Sequence, residues 1–399
     1  MDHLKILVIN PGLIRLNAMG ACEQDRLAGI TQLRRLGHTV RLLTTGSAHQ
    51  PLEAHRNYYI ERGDEVDLLP YQRFPLHPLR LRRAGYLDGA AWEFGQPYFR
   101  AAVSRNLDQF KPDLVWCHAS YVWPPALQAR RRGLPTVIRS VNYESLHHQD
   151  QTLNLTWFDW VRIAGKSIGE HNAARSASVL AAITPDETAL YERISRRGKL
   201  ETLPLRTLPH LLRPPQPVRD RTPLHVFFMG ASYSVPHNIV GLRFIVEEVV
   251  PLVRQAAPGQ FIFHVLGSKV PQSVLDLAAE DVVFEGYVPD LESFLSTMDI
   301  ALSAWRMGRG MQQKVFEPLS RGFPMITHPR AMAGYAFEPE KHYLAAEDAP
   351  QTAAALLRLR DPSLRQSLAE GASQQSAAIF SQAELDARVE RILKAALLG

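Results

Sequence analysis

The sequence predicts an α/β protein built from two doubly wound parallel-sheet domains that face a cleft. Three observations carry this. Short continuous apolar runs, such as Lys5-Ile6-Leu7-Val8-Ile9, read as strands buried on both faces. These runs alternate with stretches whose apolar residues recur at helical spacing, the pattern of a parallel sheet with crossover helices. A segment from about 203 to 223 holds six prolines, including Pro214-Pro215 and Pro217, and the alternation starts afresh after it. The expected division is 1–205 as an N-terminal domain, 206–222 as a linker, 223–380 as a C-terminal domain, and 381–399 as a terminal helix that can pack back on the N-terminal domain.

The elements follow in order. After the first strand comes a loop with Gly12 and Gly20, then Leu27, Ile30, Leu33 and Leu36 at helical spacing, with Gly37 as the stop. A strand is expected at 39–44. Residues 46–90 lack clean periodicity and read as an irregular insertion. A helix near 97–110, a strand at 113–117, a helix after Pro124 and a strand at 135–141 come next. An aromatic, amphipathic stretch covers 153–176, and a strand covers 178–183. Thr184-Pro185-Asp186-Glu187 starts a helix, with Thr as N-cap and Pro at the first helical position. In the second domain strands are expected at 224–229, 261–266, 282–286, 300–304 and 324–327, and helices at 350–373 and 383–397.

Composition bounds the function. The apolar fraction of 46% and charged fraction of 21% are ordinary for a globular protein. Cys22 and Cys117 form neither a disulfide framework nor a metal pattern, which points to a reducing, cytoplasmic setting. The apolar run at 4–9 stops at Pro11 and Gly12, too early for a signal peptide, and no stretch has the length of a transmembrane helix. Residues 1–210 carry 27 basic and 20 acidic side chains; the rest carries 18 and 20. The basic residues cluster at Arg80, Arg82 and Arg83, at Arg130-Arg131-Arg132, and at Arg193, Arg196, Arg197 and Lys199. Such clusters either form a solvated face or suit an anionic membrane surface or a phosphorylated acceptor. Patchy charge without a zinc pattern argues against nucleic-acid binding.

Ligands of open α/β sheets bind beyond the carboxyl ends of the strands, so the candidates lie there. Gly12 and Gly20 either admit a ligand to the backbone or make turns. His118 ends its strand, as either a substrate contact or a structural residue. Asn142, Tyr143 and Glu144, with His147 and His148 behind them, form a polar loop without metal-ligand spacing. Gly230-Ala231-Ser232-Tyr233, followed by Asn238 at a helix start, suits a phosphate or a plain turn. The richest stretch is 304–317. A strand leads into Arg306, Gly308, Arg309, Gly310 and Met311, then a helix with Lys314 and, one turn on, Glu317. It offers an anion cradle beside a carboxylate, as a nucleoside diphosphate would need, or a turn with a surface Lys–Glu pair. It lacks the Gly-Lys-Ser/Thr end of a P-loop.

In this order the pieces resemble the retaining glycosyltransferases of family 4, which have the GT-B fold of two Rossmann-like domains. The resemblance is strongest over 224–334. It runs through Phe228-Met229-Gly230-Ala231-Ser232 with Asn238 and through Leu266-Gly267-Ser268. It continues with Gly286, Val288, Asp290, Leu295 and Asp299, and ends on Gly308, Gly310, Lys314, Glu317, Leu319, Gly322 and Pro324. In the first domain it rests on the glycine loop, His118 and the run from Val137 to Glu144. The resemblance implies that Glu317 binds ribose hydroxyls and that Arg306 and Lys314 hold the diphosphate. It further implies backbone contacts of Gly308, Gly310 and Met311 with the distal phosphate and sugar, contacts of Tyr287 and Val288 with the base, and contact of His118 with the transferred sugar. The donor would be a UDP or GDP sugar and the acceptor a glycan or lipid-linked molecule, used in bacterial surface polysaccharide synthesis. No cofactor or metal is expected, since no D-x-D sequence occurs. Three departures stand out. Arg309 occupies the place of a frequent second glutamate, no Arg–Lys pair follows the domain's first strand, and Pro318 directly follows Glu317. They leave room for two alternatives, an inactive nucleotide-sugar-binding protein or an epimerase of the same fold.

Overall fold

The computed structural model describes residues 3–17, 19–72, 84–152, 154–195, 198–277, 279–304, 311–332 and 334–399. The candidates Arg306, Gly308, Arg309 and Gly310, and the basic residues Arg80, Arg82, Arg83, Arg196 and Arg197, lie outside them. The chain divides into two compact units, 1–207 with 382–399, and 208–381.

Unit 1 holds strands β1 (Lys5–Ile9), β2 (Thr39–Thr45), β3 (Glu65–Leu69), β4 (Leu114–His118), β5 (Thr136–Arg139), β6 (Val179–Ala182) and β7 (Lys199–Thr202). They pair in the order β3-β2-β1-β4-β5-β6-β7, all parallel. Its helices are α1 (Ala21–Arg35), α2 (Leu52–Glu61), α3 (Gly89–Phe94), α4 (Pro97–Phe110), α5 (Trp123–Arg131), α6 (Glu144–Gln151), α7 (Trp157–Ser176) and α8 (Pro185–Glu192). Continuous apolar strands follow from the two covered faces. Leu7 and Ile9 of β1 join Phe99, Val115 and Ile138 on one face, while Ile6 and Val8 join Leu27, Ile30 and Trp116 on the other.

Two readings of unit 1 need correction. The described part of residues 46–90 is not an irregular insertion: it contains α2, the edge strand β3, and the start of α3. Their periodicity is faint because α2 buries only His55 and Tyr59, and β3 is exposed at its start. The strand β7 also escaped the sequence pattern. It is a polar edge strand with no buried residue, so it lacks the apolar run that marks the others.

Unit 2 holds β8 (Leu224–Ser232), β9 (Phe261–Ser268), β10 (Val282–Gly286), β11 (Ile300–Ser303), β12 (Met325–Thr327) and β13 (Leu344–Ala345). Its sheet is also all parallel, in the order β10-β9-β8-β11-β12-β13. Its helices are α9 (Pro236–Arg243), α10 (Val250–Ala256), α11 (Gln272–Leu275), α12 (Leu291–Leu295), α13 (Gln313–Ser320), α14 (Ala349–Arg358) and α15 (Pro362–Phe380). The single helix expected at 350–373 is two, because Asp361 caps a new start with Pro362 at its first position. The prolines before β8 lie against this unit. The Arg213 N–H donates to the Ser320 carbonyl at 2.8 Å and the Gln216 N–H to that of Gly322 at 3.0 Å. Gly322 has φ +74°, and a β-carbon there would meet the Pro214 carbonyl at 2.6 Å, so only glycine fits.

The last helix, α16 (Gln382–Leu397), belongs to unit 1. Leu385, Val389, Ile392, Leu393 and Ala396 form one buried stripe, and the last four join the core around Ile6 and Val8. Each such large apolar side chain contributes about 1.5–3 kcal/mol when removed from water, which favours a fixed seat for this helix. The Gln32 amide donates to Asp386 beside it at 2.9 Å.

Candidate active site

In both sheets the order of strands reverses beside the first strand, at β1/β4 in unit 1 and at β8/β11 in unit 2. Loops leaving adjacent strands on opposite sides open a crevice there. In unit 2 the loop after β8 and the start of α13 flank this point.

Three sequence candidates meet at that crevice. The Lys314 ammonium donates to Asn238 Oδ1 at 2.7 Å, and Asn238 Nδ2 donates to the Ser232 carbonyl at 2.9 Å. The two partners fix which way the Asn238 amide points. Lys314 is the second residue of α13, so its charge sits at the positive end of that helix, where an anion is favoured. Among the described residues no carboxylate lies in ion-pair range of it. Burial pushes its pKa down to about 8.

The neighbouring glycines shape the crevice floor. Tyr233 folds back beneath the loop, donating its hydroxyl to the Leu266 carbonyl at 2.8 Å. Gly230 leaves room for that ring, since a β-carbon would lie 2.4 Å from the Tyr233 oxygen. Gly267, at φ +132°, would place a β-carbon 2.3 Å from the Gly230 carbonyl. These two glycines therefore let the ends of β8 and β9 close on each other. Tyr287, after β10, is exposed, Val288 is half-buried, and Met311 is buried just before α13.

Glu317 is buried one turn beyond Lys314, and Arg321 holds it. Glu317 Oε1 accepts from Arg321 Nε at 3.0 Å, while among the described residues Oε2 accepts from the Gln313 amide at 3.3 Å. Arg321 also donates to Glu292 at 2.6 Å. One carboxylate oxygen is thus held by a guanidinium and the other by a neutral amide at longer range. Pro318 lies inside α13, where it cannot donate to the Lys314 carbonyl. Arg321 was not singled out from the sequence. Its only signal there is i, i+4 spacing from Glu317, which equally fits an exposed pair.

In unit 1 the glycine loop after β1 is closed by Glu23 of α1. This carboxylate accepts from the Ile14 N–H at 2.6 Å and the Gly20 N–H at 2.9 Å. Gly12 lies against the end of β2, where a β-carbon would be 2.5 Å from the Thr45 carbonyl. His118 is fully buried at the end of β4. Its Nδ1 faces Arg206 Nη2 at 3.5 Å, and its Nε2 has no partner among the described residues. Arginine only donates, so Nδ1 accepts and the proton sits on Nε2. Burial and the charges of Arg206 and Arg139 hold the ring neutral. Asp25 of α1 binds both arginines at 3.2 Å. The stretch read as a polar loop through Glu144, His147 and His148 is instead the helix α6, capped by Tyr143, and its start is tied down separately. Its N–H groups donate to Glu187 at 3.0 Å and Glu170 at 2.9 Å, two carboxylates that burial raises to about 7. Asp25, Arg206, Glu170 and Glu187 were missed because a buried charge looks like a surface charge in sequence.

Comparison with known proteins decides the family. Residues 223–361 match the family described as glycosyl transferases group 1, and residues 27–206 match the glycosyl transferase 4-like domain. The chain is a family 4 glycosyltransferase. No curated protein sequence matches it. Among solved structures, this glycosyltransferase is similar to sucrose-phosphate synthase from Thermosynechococcus elongatus, at 16% identity and a TM-score of 0.68, covering 98% of each chain. It is similar to HepE of Anabaena in complex with UDP, at 13% identity and a TM-score of 0.69, covering 98% of this chain and 100% of that one. It is also similar to TarM of S. aureus in a complex containing UDP, at 10% identity and a TM-score of 0.67, covering 98% and 99%. These likenesses show the fold, two parallel-sheet units of GT-B type.

Proposed function

We propose that this glycosyltransferase moves a hexose from a nucleoside diphosphate sugar to a glycan or lipid-linked acceptor with retention at the anomeric carbon. Synthesis of a bacterial surface polysaccharide or glycoconjugate, on the cytoplasmic side, is the setting this reading implies. The observation that carries it is the Lys314 ammonium, half-buried, without a carboxylate partner among the described residues, and oriented by Asn238 at a strand crossover of the sheet. A diphosphate leaving group gathers charge as the glycosidic bond breaks, and a preorganised cation lowers that barrier without reorganising. Lys314 and Arg306 take the phosphates in this reading, and Glu317 Oε2 takes a ribose hydroxyl. Gly308, Gly310 and Met311 are assigned to the distal phosphate and sugar in the same reading, and Arg309 stands in the sequence where a sugar-contacting glutamate is frequent. The nucleotide phosphate itself assists deprotonation of the acceptor, and His118 contributes a neutral Nε2–H donor to the transferred sugar.

The direct test is a thermal-shift screen against UDP, GDP and their hexose derivatives. A bound donor stabilises the fold by mass action, about 2.7 kcal/mol at a hundredfold excess over Kd. A shift with one nucleotide class fixes the donor; no shift with any nucleoside diphosphate refutes the site.

Binding should also depend on pH in a defined direction. The folded-state pKa of Lys314, about 8, lies below its ordinary 10.5, so its positive charge is half lost near pH 8 and falls further above it. A diphosphate favours the charged form, so Kd for UDP should rise above about pH 8, by up to about tenfold per pH unit. Isothermal calorimetry between pH 7 and 9.5 reads this, and a flat Kd would exclude Lys314 as a phosphate ligand.

A further inference from the structure

The start of α7 exposes side chains that a helix on a parallel sheet ordinarily buries. Trp157, Phe158, Trp160 and Val161 are exposed by 67%, 58%, 53% and 44%. Arg162 follows them, also exposed. The one acid of these turns is turned inward. Asp159 accepts from the Thr156 N–H at 2.9 Å and from Thr156 Oγ1 at 2.5 Å, and faces His148 at 3.4 Å and Arg162 at 3.5 Å. No exposed carboxylate accompanies the aromatic residues on this turn.

The fold explains why this turn stands clear. α7 has twenty residues and so spans about 30 Å, whereas the four-residue strand β6 that it leads into spans about 13 Å. Its later part is supported: Gly165 packs so closely on Leu87 that a β-carbon would lie 2.9 Å away. The aromatic turn precedes that support. Because the helix entering a parallel strand runs back along the sheet, this turn lies toward the carboxyl edge, the edge that carries the ligand loops.

We propose that this turn is a lipid-facing wedge, with Trp157, Phe158, Trp160 and Val161 entering the headgroup–acyl boundary of an anionic bilayer and Arg162 meeting lipid phosphate. Tryptophan beside aliphatic residues and a cation is the composition of an interfacial helix. The charge balance of the first 210 residues, 27 basic against 20 acidic, fits an anionic surface. A saccharide fits less well. The Trp157 and Phe158 rings stack on each other at 3.5 Å, which occupies faces that a sugar ring would use. Residues 157–164 also contain no hydroxyl or amide side chain to bind sugar hydroxyls. This inference deepens the lipid-linked acceptor reading, by stating where the enzyme meets the lipid.

The test is flotation of the full chain with vesicles of phosphatidylcholine, and of phosphatidylcholine mixed with phosphatidylglycerol, with no donor present. The wild type should float with the anionic vesicles and shift its tryptophan emission to the blue. Trp157→Ser combined with Trp160→Ser should weaken partitioning about tenfold or more. Arg162→Glu should weaken it on anionic vesicles alone. The thermal shift caused by a nucleotide should persist in each variant, which separates loss of the wedge from loss of the fold or of the donor site. Absence of vesicle binding, or binding unchanged by the tryptophan substitutions, overturns the proposal. So does a wild-type dimer that the substitutions dissociate, which would assign the turn to a second copy. Quenching of tryptophan emission by a soluble oligosaccharide without vesicles would assign it to a glycan instead.

Discussion

Lys314→Met is expected to lower kcat by about 10²–10³-fold while leaving the melting temperature of the unliganded enzyme unchanged or higher. The first half follows from removing one preorganised donor to a developing phosphate charge. The second half follows from the unliganded geometry. Lys314 is a half-buried cation whose one described partner is the neutral Asn238 oxygen, and burial lowers its pKa. Methionine fills similar space without that desolvation penalty. Activity lost together with stability gained marks a residue placed for its ligand rather than for the fold. Glu317→Ala should behave differently. It removes the anchored carboxylate from Arg321, leaving that buried guanidinium on Glu292 alone, so melting temperature and turnover should fall together. Steady-state turnover with the donor found by thermal shift, and melting of the unliganded variants, read both. Full turnover in both variants would refute the site.

This contrast shows which parts of the enzyme were legible in the sequence. The parallel strands of both cores were visible because two covered faces impose unbroken apolar runs, as in β1 and β4. The loop after β8 and the start of α13 were visible as glycines and a lysine beside such runs. Their meeting was not visible in spacing, because Lys314 and Asn238 are 76 residues apart. What joins them is the reversal of strand order at β8/β11, a property of the sheet rather than of either segment. The edge strands β3 and β7 were missed because an edge carries polar residues. The aromatic stretch at the start of α7 was read as amphipathic. Which of its residues face water depends on where neighbouring elements stop, and periodicity does not carry that information.

The largest stability effect is expected from Asp25→Ala. Asp25 is bonded to two buried guanidiniums, those of Arg139 and Arg206, each at 3.2 Å. It also accepts the Arg206 backbone N–H at 2.7 Å. Removing it leaves two desolvated cations facing each other, which costs about 3–5 kcal/mol, or roughly 10 °C in the melting temperature of a unit this size. Arg206→Met should cost clearly less, because the cluster carries two positive charges for one negative. The Asp25–Arg139 pair survives that change, and the partnerless Nε and Nη1 of Arg206 disappear with it. Methionine can enter the space that Gly29 keeps free for the guanidinium, since a β-carbon at Gly29 would lie 1.9 Å from Arg206 Nη1. Thermal melts of the two variants test the order, and equal losses would show that the arginines stabilise by packing rather than as Asp25's counter-charges. The same pair bears on catalysis. Arg206 is the described group facing His118 Nδ1, so Arg206→Met should free the imidazole to exchange tautomers. Turnover falling in Arg206→Met more than its small stability loss explains would make Arg206 a positioning residue, acting on the sugar through the His118 Nε2–H.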